Sequence, residues 1–152
     1  MSIEISNQKL RVLDSGTITP TTGTPYVAGD FYGVDNTAIT FAGAGSNVAQ
    51  GGIVTGAVLI NQVAEAIAGN LWLFDTAPAG LGLDAAAFTV SDADALRVIC
   101  VIPFLAADYA LSALNAVCSG IPKGPSGYKC IAGSTSIYGA FECEGVFAAP
   151  VL

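Results

Sequence analysis

Histidine is absent from this chain of 152 residues. With it go the commonest general base near neutral pH and the commonest metal ligand. Charge is nearly as scarce: 11% of the residues are Asp, Glu, Lys or Arg, against about a quarter in an average domain. The five bases, Lys9, Arg11, Arg97, Lys123 and Lys129, are scattered, and the formal net charge is −7. No group of them can neutralise several phosphates, which argues against a nucleic-acid partner. Long apolar runs are missing too. The longest, Val98 to Leu105, is interrupted by Pro103 and falls far short of the ~20 residues of a membrane helix. A membrane barrel would need a regular ten-residue alternation that the strands do not show. Met1-Ser2-Ile3-Glu4 has neither the positive region nor the apolar segment of a signal peptide, so synthesis in the cytoplasm is expected.

What fills the space is apolar: 53% of the residues are hydrophobic. The length suits one domain that buries roughly 70% of its unfolded surface. A water-soluble chain with so few charges has little to hold its surface away from other surfaces. Much of its exterior is therefore expected to be covered in an assembly.

Four cysteines, Cys100, Cys118, Cys130 and Cys143, stand 18, 12 and 13 residues apart. A zinc knuckle needs a spacing of about two to four, so no tetrathiolate site is expected. Each Cys lies in or beside an apolar segment, and in a reducing compartment it acts as a small buried hydrophobe. A Cys130–Cys143 disulfide requires strands paired in register and an oxidising compartment.

The segment around which the chain is organised is Gly69-Asn70-Leu71-Trp72-Leu73-Phe74-Asp75-Thr76-Ala77-Pro78. Its four large apolar residues run without a polar break, so both faces must be covered. The bounding Gly, Asn and Pro make it a strand rather than a helix. Trp72, the only Trp, sits in the middle. Its outer face meets a second sheet, another subunit, or simply the core; the sequence leaves these open.

Further strands are expected across Leu10–Val12 at an edge, Thr37–Phe41, Ile53–Val63 as one long strand, Leu96–Ile102 as a central strand closed by Pro103, Tyr109–Cys118, Tyr128–Ile131 and Ser136–Glu144. In the last, Tyr138, Ala140, Glu142 and Glu144 share one face and Ile137, Phe141 and Cys143 the other. Thr17 to Gly23 is a polar arm. Ala28-Gly29-Asp30 is a turn, because Gly29 takes positive φ and Asp30 bonds nearby backbone. Gly43–Gly52 is a Gly-rich loop without the Gly-Lys-Ser/Thr ending of a phosphate cradle. Val63–Ala68 holds helix formers for one turn. Ser91 with Asp94 forms a capping box, which takes precedence over a calcium pair of Asp92 and Asp94. Short strands with Gly- and Pro-rich links give an all-β, single-domain fold of β-sandwich or jelly-roll type, with residues 1–25 as N-terminal strand and arm and 26–152 as the body.

Catalytic machinery is not found. Nearly all carboxylates fall at turns. Glu142 and Glu144 share a strand face and could make a glycosidase-type dyad, although a solvated face accounts for them. No Gly-x-Ser-x-Gly elbow is present, and a Cys nucleophile would lack its His.

Leu71-Trp-Leu-Phe-Asp-Thr-Ala-Pro, Asp84-Ala-Ala-Ala-Phe, Ser91-Asp-Ala-Asp-Ala-Leu and Ser136-Ile-Tyr-Gly-Ala-Phe, with Tyr26-Val-Ala-Gly-Asp-Phe-Tyr-Gly and Gly51-Gly-Ile-Val upstream, carry a resemblance. In their order and spacing, over roughly residues 25–148, the chain resembles small structural proteins of tailed bacteriophages. The four cysteines and the want of a charged face depart from that pattern. The resemblance implies a virion component, most often a head decoration or cement protein on the capsid exterior. It implies the major capsid protein and further copies of this chain, first of all a trimer, as partners, and no activity, cofactor, metal or catalytic residue. The contacts expected are Leu71, Trp72, Leu73 and Phe74, the arm residues Thr17, Ile18 and Thr19 laid over a neighbour, and Tyr26, Phe31 and Tyr32. The alternatives are a tail or fibre-base subunit, or a glycan-binding module using that last aromatic trio.

Overall fold

The computed structural model describes residues 11–19, 24–45 and 50–147. Among these the chain forms β1 (Phe31–Tyr32), β2 (Ile39–Phe41), β3 (Gly51–Ile53), β4 (Ala57–Asn61), β5 (Gly69–Phe74), β6 (Val98–Phe104), β7 (Ala110–Leu111), β8 (Ala116–Gly120), β9 (Gly127–Lys129) and β10 (Ile137–Cys143). The only helices among them are α1 (Asp92–Ala95) and a 3-10 turn, Ala106–Asp108. The fold is all-β, as the sequence pattern predicts.

β10 is the hub of the largest sheet. β5 pairs along nearly all of it, while β2 takes Ile137–Gly139 and β1 takes Phe141–Glu142 end to end on the other flank. β6 lies outside β5, and every pairing is antiparallel. A second sheet has the order β4-β8-β7, and β3 pairs with β9.

The alternation of each strand divides its side chains between two cores. Leu71 and Leu73 of β5, Cys100, Ile102 and Phe104 of β6, and Ile137, Phe141 and Cys143 of β10 meet Cys118 of β8, with Ala57 and Leu59 of β4 packed against them. The opposite face carries Phe31, Phe74 and Ala140, covered by Leu81, Phe88 and Val90 from the segment after β5. Both faces of β5 are therefore covered within the chain, which accounts for its unbroken apolar run. A register shift between Leu73 and Phe74 pairs Phe74 with Val98, so Val98 turns to the smaller core while Cys100 faces the larger.

Several expectations change. Leu96–Ile102 is not central: its strand, β6, is the edge of its sheet and runs on through Pro103 to Phe104. The Val101 carbonyl accepts from Lys123 N–H (2.9 Å) on the outer side. Residues two apart point the same way, so the donor that Pro103 lacks would face off the sheet. Ile53–Val63 is two strands, not one. Gly56, between them, runs so near the partner that a Cβ there would come within 2.9 Å of the Gly120 carbonyl oxygen. Val63–Ala68 turns without a helix, because Asn61 ties it down: its Nδ2 donates to Glu65 O (3.0 Å) and its Oδ1 accepts from Val63 N–H (3.2 Å). Tyr109–Cys118 contains a hairpin, β7 to β8, with Ser112–Asn115 as its turn.

Of the expected N-terminal strand, Leu10 lies outside the described residues, and Arg11 and Val12 are irregular. Side chains hold this segment instead of a ladder. Arg11 donates to Gly43 O (2.9 Å), and Leu13 packs on the larger core. Two local readings stand. Gly29 has φ +90° in the turn where Asp30 Oδ2 accepts from Val27 N–H (2.8 Å). Ser91 caps α1, its hydroxyl accepting from Asp94 N–H (3.1 Å).

Candidate interaction surface

Of the four β5 residues expected at a contact, Leu71, Leu73 and Phe74 are buried inside their own chain. Only Trp72 reaches the surface, and it is half-buried. Its ring lies 5.7 Å from Phe88, and its indole N–H donates to Glu142 Oε2 (2.9 Å). Asn70 Nδ2 donates to Glu144 Oε1 (2.6 Å) and, more weakly, to Glu142 Oε2 (3.4 Å). The Glu142–Glu144 pair is thus held by a neutral indole and a neutral amide, an arrangement that orients strand side chains.

The aromatic trio does not form an exposed platform. Tyr26 and Phe31 are buried and Tyr32 is half-buried. Tyr26 stacks on Phe147 (4.7 Å) and donates its hydroxyl proton to Asp84 Oδ1 (2.8 Å). Asp84, 4% exposed, also accepts from Gly33 N–H (3.2 Å). Burial, and then the bond to Asp84, hold the Tyr26 hydroxyl protonated far above its ordinary range. Thr17, Ile18 and Thr19 lie on the body of their own chain. With Ser15 they face Val34 and Thr37–Thr40 across a shallow depression of about 190 Å³ in their own body.

All four thiols are free and buried. Burial pushes Cys100 up to about 11 and Cys143 up to about 12, and also raises Cys118 and Cys130. A folded pKa above the unfolded value of 9.0 means that this stabilisation is complete below pH 9.0 and disappears as the pH climbs through about 11 and 12. The urea midpoint is therefore expected to fall across that window, and Cys143→Ala to flatten the fall. A midpoint indifferent to alkali would contradict the burial of these groups. Among the described residues no three His, Cys, Asp or Glu side chains are grouped to hold a metal ion, and no helix is long and apolar enough to cross a membrane.

The surface itself is unusual. Fourteen large aliphatic side chains stand exposed among the described residues, including Leu96, Val146, Leu114 and Ile121. The most ordered group of them lies on the β4-β8-β7 sheet. Its inner side sends Ala57, Leu59 and Cys118 toward the larger core. Val58 and Ile60 point the other way, each 62% exposed, and pair across the ladder with Ser119 and Val117. Val117 in turn pairs with Ala110. None of these three strands contains an ionisable side chain other than the buried Cys118. Reading 53–63 as one strand hides this patch. The polar-free alternation Ala57-Val58-Leu59-Ile60, without Lys or Pro, is the signal that could have revealed it.

No family model matches this chain, and neither the curated proteins nor the solved structures hold a match to it.

Proposed function

We propose that the protein is a non-catalytic structural component of a bacteriophage virion, a decoration or cement protein bound to the outside of the capsid. The observation that carries this is the fourteen exposed aliphatic side chains on a molecule with only 11% charged residues. Such a surface is suited to being covered where its apolar side chains gather, as Val58, Ile60 and Val117 do on the β4-β8-β7 sheet, because contiguous exposed apolar patches mark interaction sites. A cement protein acts by buried contact: it bridges neighbouring major capsid subunits, and many weak copies add up because the shell is multivalent. Partners on this reading are the major capsid protein and further copies of the chain, assembled in the host cytoplasm, with no cofactor and no turnover. The resemblance in the motifs from Tyr26 to Phe141 supports the same direction.

The test is co-sedimentation with emptied shells of the phage that encodes the chain, followed by electron cryo-microscopy. Protein pelleting with the shell and giving density on its exterior is expected. Density confined to the tail, or protein left wholly in the supernatant, overturns the proposal.

A further inference from the structure

We propose that two copies of this chain pair through β4, strand against antiparallel strand about a two-fold axis, so that two β4-β8-β7 sheets become one of six strands. An edge strand offers a row of backbone donors and acceptors, and proteins blunt such edges with prolines, lysines, bulges, extreme shortness or a covering segment. The other edges among the described residues are blunted in these ways. β6 carries Pro103 and is bridged on its outer side by Lys123. β7 has two residues, β2, β3 and β9 have three each, and β9 ends in Lys129. β1 is covered by backbone bonds between Phe31 and both Ala85 and Ala86. β4 is different. It has five residues in unshifted register with β8 on one side, and no strand among the described residues is paired on the other. It holds no proline and no charge.

Three properties of β4 select a second copy rather than a foreign strand. Its side chains match themselves when reversed: centred on Leu59, an antiparallel pair sets Val58 opposite Ile60 and Ala57 opposite Asn61, apolar against apolar in the exposed row. Such directly opposed apolar pairs stabilise an antiparallel ladder. Next, two chains of net charge −7 repel, and the ionisable-free sheet is where they approach without opposing carboxylates. Last, β4 displays no charged group by which a different partner would be read. The contact is isologous, so it makes closed pairs rather than the trimer implied by the phage resemblance. It does not rest on the virion reading, since shell binding and self-pairing are measured separately.

The experiment is sedimentation equilibrium of the full chain over a concentration range, with hydrogen exchange at residues 57–61. A reversible dimer is expected, with amides of β4 slowing as it forms. The exposed substitutions V58K and I60K should each weaken association at least tenfold while leaving the circular dichroism unchanged. L96K, on an exposed side chain away from β4, should not weaken it. Mixing V58K with I60E should restore association, because the two-fold register sets position 58 of one copy against position 60 of the other. A chain that stays monomeric, a trimer, or a dimer indifferent to V58K and I60K overturns the proposal. So does a mixture that fails to associate better than its parts.

Discussion

Phe74→Ala is expected to destabilise the protein by about 3–5 kcal/mol, the usual cost of emptying a large aromatic site in a packed core. Phe74 is fully buried, and it fills the smaller core between Phe31, Leu81 and Ala140. Three separate parts of the chain meet there: β1, the segment after β5, and β10. A domain of this size is stable by about 5–15 kcal/mol in total, so the loss is a large fraction of it. In thermal terms it corresponds to roughly 6–20 °C at about 2–4 °C per kcal/mol. Phe74→Leu, which keeps most of the volume, should recover more than half. Thermal and urea denaturation read both. An alanine variant within about 1 kcal/mol of the wild type would show that the smaller core does not hold the 81–90 segment on the sheet.

The second large effect is expected at Asp84. Asp84→Ala removes the acceptor of the Tyr26 hydroxyl and of the Gly33 N–H at once. Each buried donor left without a partner costs about 1–3 kcal/mol, so a total of roughly 2–6 kcal/mol is expected. Tyr26→Phe takes away one of the orphaned donors while keeping the ring on Phe147. It should therefore cost less alone, and cost little or nothing in the Asp84→Ala background. A double-mutant cycle in which the two costs simply add would mean that the buried bond contributes nothing.

These two sites also show how far a sequence of this kind can be read. The strands with continuous apolar runs, β5 and β6, and the alternating strand β10 are visible because a sheet covered on both faces writes its burial directly into side-chain type. The division of β10 into Ile137, Phe141 and Cys143 against Tyr138, Ala140 and Glu142 follows from the two-residue period and holds in the structure. Partner choice does not follow from it. β1 pairs with β10 more than a hundred residues away, through two pairs of residues, and no local signal announces that. The burial of Tyr26 and Phe31 was hidden for the same reason. Their covers, Leu81, Phe88 and Phe147, lie in Gly- and Ala-rich stretches that read as loops. The edge position of β6 and the break at Gly56 likewise depend on neighbours, Lys123 and Gly120, that are remote in sequence. The candidate surface was the least legible part, since an exposed valine and a buried valine are the same letter.

The place of β10 has a consequence for how the chain comes into being. Strands from residues 31–32, 39–41 and 69–74 all wait for 137–143 to complete their ladders. On the ribosome, apolar β5 can pair with β6 once Phe104 has been made, but its other edge stays open until β10 follows. Contacts so distant in sequence slow folding and prolong the period in which a nascent chain sticks to others. The molecule should therefore acquire its shape only after translation has passed Cys143, and a fragment ending before Ile137 should be captured by chaperones or precipitate.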